Sequence, residues 1–307
     1  MAVVLEIRHV TTYQYRNPVK FGAHRAMFLP RPAARGRLLS WSAKTNLHSR
    51  TRWVSDGLSN NVTEIEFDEA GKELTFTFQF RGVHFGGESV EQFALEPRAE
   101  RVPVQYTPDE WTDLIGFMRP HAEDPDVSVA AWASSFLTGS GNRTIDVLAR
   151  MLDTFRDTFS YQARVTEGTL SPRELLQSKS GTCRDYAWLM IEALRRLGFA
   201  ARFVTGYIYD AALDGGAAGT TGSGATHAWV QVFLPGAGWM NYDPTNHIDA
   251  GFDLIPVAIA RYPGQAIPLA GSWSGNANDY LGMSVDVAVH KLGDITDQAN
   301  VGGATSF

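Results

Sequence analysis

From residue 5 onward the chain alternates. Leu5, Ile7, His9, Thr11, Tyr13 and Tyr15 share one face of a period-two pattern, with Glu6, Arg8, Thr12 and Gln14 on the other. Leu74, Phe76, Phe78 and Phe80 alternate with Thr75, Thr77, Gln79 and Arg81 in the same way. Turn chemistry separates these runs at Ser55-Asp56-Gly57 and at Glu69-Ala70-Gly71-Lys72. Such alternation describes a sheet packed on one face and wet on the other, so residues 1–100 are expected to form an antiparallel, sandwich-like β-domain. Its aromatic stripe reads as core.

Near Thr107 the period becomes helical. Asp109 to Met118 and Val127 to Leu137 are expected helices, and Ile145, Leu148, Met151, Leu152, Phe155 and Phe159 mark a longer one. Ser171-Pro172-Arg173-Glu174 announces a short helix, with Ser as cap, Pro in the first position and Glu174 reaching back. The next helix begins at Cys183, places Tyr186, Leu189, Met190, Ala193, Leu194 and Leu197 on one face, and ends at Gly198. Strands are expected over Phe199 to Tyr209, His227 to Leu234, Trp239 to Asp243 and Met283 to Leu292. Between the first two lies Ala211 to Gly224, a Gly/Ala/Thr/Ser run expected to be a mobile loop and a candidate lid over a site. The reading is α+β: an N-terminal β-domain, a second domain over 101–295 and a frayed tail over 296–307.

Composition narrows the function. In 307 residues, 44% are hydrophobic and 20% charged, with a net charge of −6, which fits a soluble protein and argues against nucleic acid or an anionic membrane as partner. No apolar run approaches a membrane span, and no basic-then-apolar leader opens the sequence. With one cysteine and no export signal, the expected compartment is a reducing cytoplasm. One thiol forms no internal disulfide and excludes a four-cysteine zinc site.

Cys183 stands in Gly181-Thr182-Cys183-Arg184-Asp185-Tyr186-Ala187, at the start of its helix. There the macrodipole and unpaired backbone N–H groups favour a thiolate, although a free cysteine also serves as a small buried hydrophobe. His227 opens one strand and Asp243 ends the next. Together the three supply a nucleophile, a proton carrier and a carboxylate to orient it. If Phe233 lies opposite Trp239, Asp243 falls opposite Trp229, diagonal to His227 and on its face; a shift of one residue would separate them. The sequence leaves that register open. Asp185, beside the thiol, is expected to offset the helix dipole or to pair with Arg184, and His247 with Asp249 are read as solvated loop residues in preference to a metal pair.

These segments, with Thr226-His227-Ala228-Trp229-Val230 and Asn241-Tyr242-Asp243-Pro244-Thr245-Asn246, resemble the three core motifs of the transglutaminase-like superfamily, in the bacterial branch described as cysteine proteases. His9, Thr11, Tyr13, Tyr15, Pro18 and Val19, then Leu29-Pro30-Arg31, then Asp56-Gly57 with Asn60 and Asn61, resemble the N-terminal β-domain of that branch. The resemblance covers roughly residues 3 to 250. It implies a papain-like catalytic core in which a cysteine-bearing helix packs on an antiparallel sheet. It also implies Cys183 as nucleophile, His227 as general base and acid, and Asp243 as orienting carboxylate. Activities known in the family are amide hydrolysis, deamidation and transglutamination through a thioester. The branch often carries Gly-Arg-Asp-Tyr after the aspartate, where this chain has Ala260-Arg261-Tyr262-Pro263-Gly264.

The leading expectation is therefore a cysteine-dependent hydrolase of peptide or isopeptide-type bonds, with no cofactor and no metal. A transglutaminase using an amine as acceptor is the alternative, and a non-enzymatic peptide-binding scaffold the second. The backbone N–H of Cys183 is the natural oxyanion donor. Gln177, six residues upstream, and Tyr161 are secondary candidates, and Trp229 is expected to pack beneath His227. The expected partner is a peptide or protein substrate.

Overall fold

The computed structural model describes residues 2–31, 36–84, 94–139, 141–164, 168–209, 224–249 and 254–295. The expected loop over 211–224 falls outside these apart from Gly224, and the tail over 296–307 lies wholly outside them.

One strand organises the N-terminal half. β1 (Ala2–Ala26) pairs β5 (Ala70–His84) and β14 (Tyr280–Ile295) along its first part, then β4 (Asn61–Phe67) and β13 (Leu269–Ser274) along its last residues. β2 (Gly36–Thr45) and β3 (Ser49–Ser55) complete a seven-stranded antiparallel sheet of order β2-β5-β1-β4-β3, with β13 and β14 attached to β1. The period-two stripe packs as core: Phe76, Phe78 and Leu74 are buried with Tyr15, Phe21, Phe28 and Ile65.

β13 and β14 correct the expected domain limits. A second domain running to residue 295 is not what forms, because 269–295 returns to pair with β1 at the opposite end of the chain. Strand periodicity shows which face of a segment is apolar and carries no information about its partner.

The remaining elements build the second half. In chain order they are α1 (Pro108–Met118), α2 (Ser128–Ser134), α3 (Thr144–Thr158), β6 (Ser160–Tyr161), α4 (Pro172–Ser178), β7 (Ser180–Gly181) and α5 (Cys183–Arg196). Then follow β8 (Ala201–Ile208), β9 (His227–Leu234), β10 (Gly238–Asp243), β11 (Ile248–Asp249) and β12 (Leu254–Ala260), an antiparallel sheet of order β11-β10-β9-β8-β12. Ser171 and Glu174 form the expected capping box on α4, each accepting from the other's backbone N–H.

α5 is the axis of this half. Gly198, with φ of +88°, ends it in the left-handed region, as expected for the residue after a helix. It is buried from Asp185 to Arg195, all round and not on one face only, because the β8–β9 sheet packs on one side and α1, α2 and α4 on the other. On that sheet Ala228, Val230, Val232 and Leu234 share a core with α5, while Trp229 packs on the opposite face with Val204, Ile208, Leu254 and Ile259. Through the turn at 56–61 the N-terminal half reaches that second face. Leu58 packs against it, and Asn60 bonds the backbone of Ile259 on the edge strand β12 in both directions, at 2.8 and 2.9 Å.

Candidate active site

α5 begins under tight local constraint. Asp185 accepts from the backbone N–H of Thr182 at 2.8 Å and from its hydroxyl at 2.9 Å, closing the first turn around Cys183. The same buried carboxylate accepts from the N–H of Leu170 at 2.7 Å and from Arg164 at 3.1 Å. Its ion-pair partner is thus Arg164, where Arg184 or the helix dipole alone had been expected. Gly181 is fixed by space: a Cβ there would lie 2.8 Å from Leu175 and 3.0 Å from Asp185.

The register of the hairpin is the one that unites the other two side chains. Phe233 pairs with Trp239 and Val230 with Tyr242, so Asp243 falls opposite Trp229. The imidazole Nε2 of His227 donates to Asp243 Oδ2 at 2.7 Å, and both side chains are fully buried. With Nε2 committed, Nδ1 has no hydrogen-bond partner among the described residues, and the charge of the neighbouring Cys183 thiol acts on the ring. The tautomer follows from this network.

The electrostatics are those of an ion pair. Burial alone would raise the Cys183 thiol, but the charge of His227 outweighs it and holds the thiol below its ordinary pKa. Burial also opposes charge on His227, yet Asp243 and the thiolate push the imidazole up, to about 10. Asp243 is held down against burial by His227, Asn246 and Thr245. The arrangement favours thiolate and imidazolium together.

Two residues of the turn after Asp243 complete its shell. The backbone N–H of Thr245 reaches Asp243 Oδ1 at 2.9 Å, and Asn246 Nδ2 reaches Oδ2 at 2.8 Å while lying 3.4 Å from His227 Nε2. No role was expected for either. The available signal was their place in Asp-Pro-Thr-Asn, a turn composition in which side chain and backbone fold back on the first residue.

The secondary candidates divide. Trp229 lies beneath His227 as expected, its ring 6.1 Å away and 22° from parallel, with its indole N–H donating to Asn241 at 2.9 Å. Tyr161 reaches the site because β6 pairs with β7, placing it opposite Gly181. Its hydroxyl is pushed up to about 12, by burial first and then by the charges of Cys183, Asp243 and Asp185. Gln177 does not join them: it is exposed on the outer face of α4, turned away from the buried Leu175, and makes no hydrogen bond to the three side chains. His247 engages Asp153 at 2.9 Å and not Asp249, and among the described residues no cluster of three metal-ligating side chains forms.

The segment that departs from the family pattern lies elsewhere. β12 runs antiparallel to β8, so Ala260 pairs with Phe203 at the end of the sheet remote from His227. Arg261 and Tyr262 therefore sit beyond the C-terminal end of α5.

Comparison with known proteins agrees with this architecture. Residues 130–244 match the transglutaminase-like superfamily core, and residues 5–81 the bacterial transglutaminase-like N-terminal region. An uncharacterized protein of Mycobacterium leprae is 27% identical over 296 residues, covering 92% of this chain and 98% of its own length. A protein-glutamine gamma-glutamyltransferase of Pseudomonas aeruginosa is 35% identical over 80 residues, 24% of this chain and 11% of that protein. A crystal structure from Cytophaga hutchinsonii, titled as a "Putative Cysteine Protease", shares the fold with a TM-score of 0.70 at 18% identity, covering 97% of this chain and 93% of that one. The chain belongs to the transglutaminase-like superfamily, with the core of that superfamily following its bacterial N-terminal region.

Proposed function

We propose that this protein cleaves a peptide or isopeptide-type amide bond through a thioester on Cys183, with Cys183, His227 and Asp243 acting as a catalytic triad. The observation that carries the reading is the buried His227–Asp243 bond of 2.7 Å, which leaves Nδ1 free of any other hydrogen bond and so available to exchange a proton with the thiol. The thiolate attacks the substrate carbonyl carbon, and the developing oxyanion is met by the backbone N–H of Cys183 at the positive end of α5. His227 then gives the Nδ1 proton to the departing amine as the C–N bond breaks, leaving a thioester and a neutral imidazole. That imidazole takes a proton from water. The resulting hydroxide attacks the thioester, releases the acid and restores the thiolate–imidazolium pair. Asp243 stabilises the imidazolium throughout without accepting its proton.

Transfer to an amine is the second reading, supported by the stretch shared with the Pseudomonas glutamyltransferase. It differs only in the nucleophile that resolves the thioester. Both are tested by profiling the wild type and Cys183→Ala on peptide libraries, with and without an added primary amine. Hydrolysed product from the wild type alone is the expected result. Incorporation of the amine in preference to water would replace hydrolysis by transfer, and equal turnover by Cys183→Ala would overturn both.

A further inference from the structure

Two adjoining cavities lie at the opposite end of α5 from the thiol, about 18 Å away along the helix at 1.5 Å per residue. The larger, of about 650 Å³, is walled by Pro103, Val104, Trp111, Ile115 and Met118. The smaller, of about 320 Å³, is walled by His121, Arg119, Arg195 and Arg261. Ile115, Arg119, Pro120 and Arg195 border both, so an apolar half opens directly into a basic half. Together they form an open surface cleft of small-ligand size.

The basic half carries uncompensated charge in an acidic protein. Arg195 is buried and already committed: it donates to Glu192 at 2.9 Å, to the carbonyl of Ala201 and to the carbonyl of Arg261 at 2.6 Å. Arg196 takes up Asp124 and the second oxygen of Glu192. The two carboxylates of this cluster are therefore satisfied by Arg195 and Arg196, which also counter the negative end of the helix. Arg119 and Arg261 remain. Both are exposed, and among the described residues neither guanidinium has an acidic or hydrogen-bonding partner. The stem of Arg261 lies across Gly116 of α1, where a Cβ would meet its Cδ at 3.6 Å, and His121 is held by stacking on Tyr262 at 4.2 Å.

From this juxtaposition we propose that the pocket between α1 and the C-terminal end of α5 binds a carboxylate on an apolar body, with Arg119 and Arg261 clasping the carboxylate and Trp111, Ile115 and Met118 receiving the body. Paired guanidinium groups match the planar carboxylate, and the adjoining apolar wall rewards a ligand that brings its own hydrophobic group. A free acid and the C-terminus of a peptide share this chemistry. The site is separate from Cys183 and does not depend on the proposed activity.

Isothermal titration of the full chain with N-acetyl-phenylalanine, its uncharged amide and inorganic phosphate tests the assignment, and an acetylated peptide ending in phenylalanine separates the two sources. The acid is expected to bind at least tenfold more tightly than the amide and than phosphate. Arg119→Ala and Arg261→Ala, both at exposed positions, are each expected to abolish the preference for acid over amide without changing Tm. Tighter binding of the peptide than of the free acid would assign the site to chain termini, and the reverse to small acids. Equal binding of acid and amide, phosphate as strong a ligand as the acid, no saturable binding, or a preference that survives both substitutions would overturn the proposal.

Discussion

Besides its bond to His227 on the neighbouring strand, Asp243 is held by a shell within its own turn. Thr245 and Asn246 fold back on it, and Asn246 Nδ2 also approaches the nitrogen through which His227 donates. A hydrogen bond to a charged group contributes about 1.5–3 kcal/mol, so Asn246→Ala is expected to slow turnover at least about tenfold. Because that bond favours ionised Asp243, its loss raises the carboxyl pKa, weakens the imidazolium and lets the thiol pKa rise. The acidic limb of the pH–rate profile should therefore move to higher pH in Asn246→Ala; a fall in rate with an unmoved limb would give Asn246 a purely structural role. Cys183, His227 and Asp243 were legible because each stands at an element boundary within a dense motif. Asn246 was not, since its reach to the carboxylate depends on how three residues of turn close, which no periodicity records.

At the scale of elements, the site depends on how closely β8, β9 and β12 approach. Gly206 pairs with His227 across β8 and β9, and a Cβ on it would lie 2.1 Å from the carbonyl oxygen of Ile255 and 2.8 Å from the Trp229 ring. That ring is the platform beneath His227. Gly206→Ala is expected to destabilise the fold by about 1–3 kcal/mol and to lower activity further than stability alone explains, as the displaced indole tilts the imidazole. Urea unfolding with turnover measured on the folded fraction separates the two effects; unchanged activity per folded molecule would contradict the platform role. The helices were readable from periodicity and turn chemistry, and Gly198 and the Ser171–Glu174 box end and start helices where expected; the β9–β10 register stayed open until the fold set it, with Phe233 opposite Trp239. The burial of α5 on every side was not readable, because Trp188 and Glu192 meet His121 and Ala122 in the segment after α1, and Arg195 the carbonyls of Ala201 and Arg261, contacts that are a long-range outcome.

On the scale of the whole molecule, the two halves are joined at β12. Asn60 accepts from the N–H of Ile259 and donates to its carbonyl, which satisfies an otherwise open sheet edge, and Asp56 and Arg31 hold Asn60 in turn. Asn60→Ala orphans two buried backbone groups, so a loss on the order of 3 kcal/mol is expected in urea unfolding; a loss within the range of a surface substitution would show that the halves do not rely on this latch. The Asp56–Asn61 turn was legible as a motif, but its partner was not, nor was the return of β14 to β1, since both contacts join segments about two hundred residues or more apart. The structure as a whole converges on the charge of one thiol. The depressed pKa of Cys183 and the raised pKa of His227 favour a thiolate beside an imidazolium, and the thiolate is lost as pH falls through the depressed value. The direct test is the rate of Cys183 alkylation by iodoacetamide as a function of pH, in the wild type and in His227→Ala. The wild type should react with an apparent pKa well below the ordinary thiol value of about 8.5, and His227→Ala should return it to that value or above. A wild-type pKa near 8.5 that His227→Ala leaves unmoved would contradict the account.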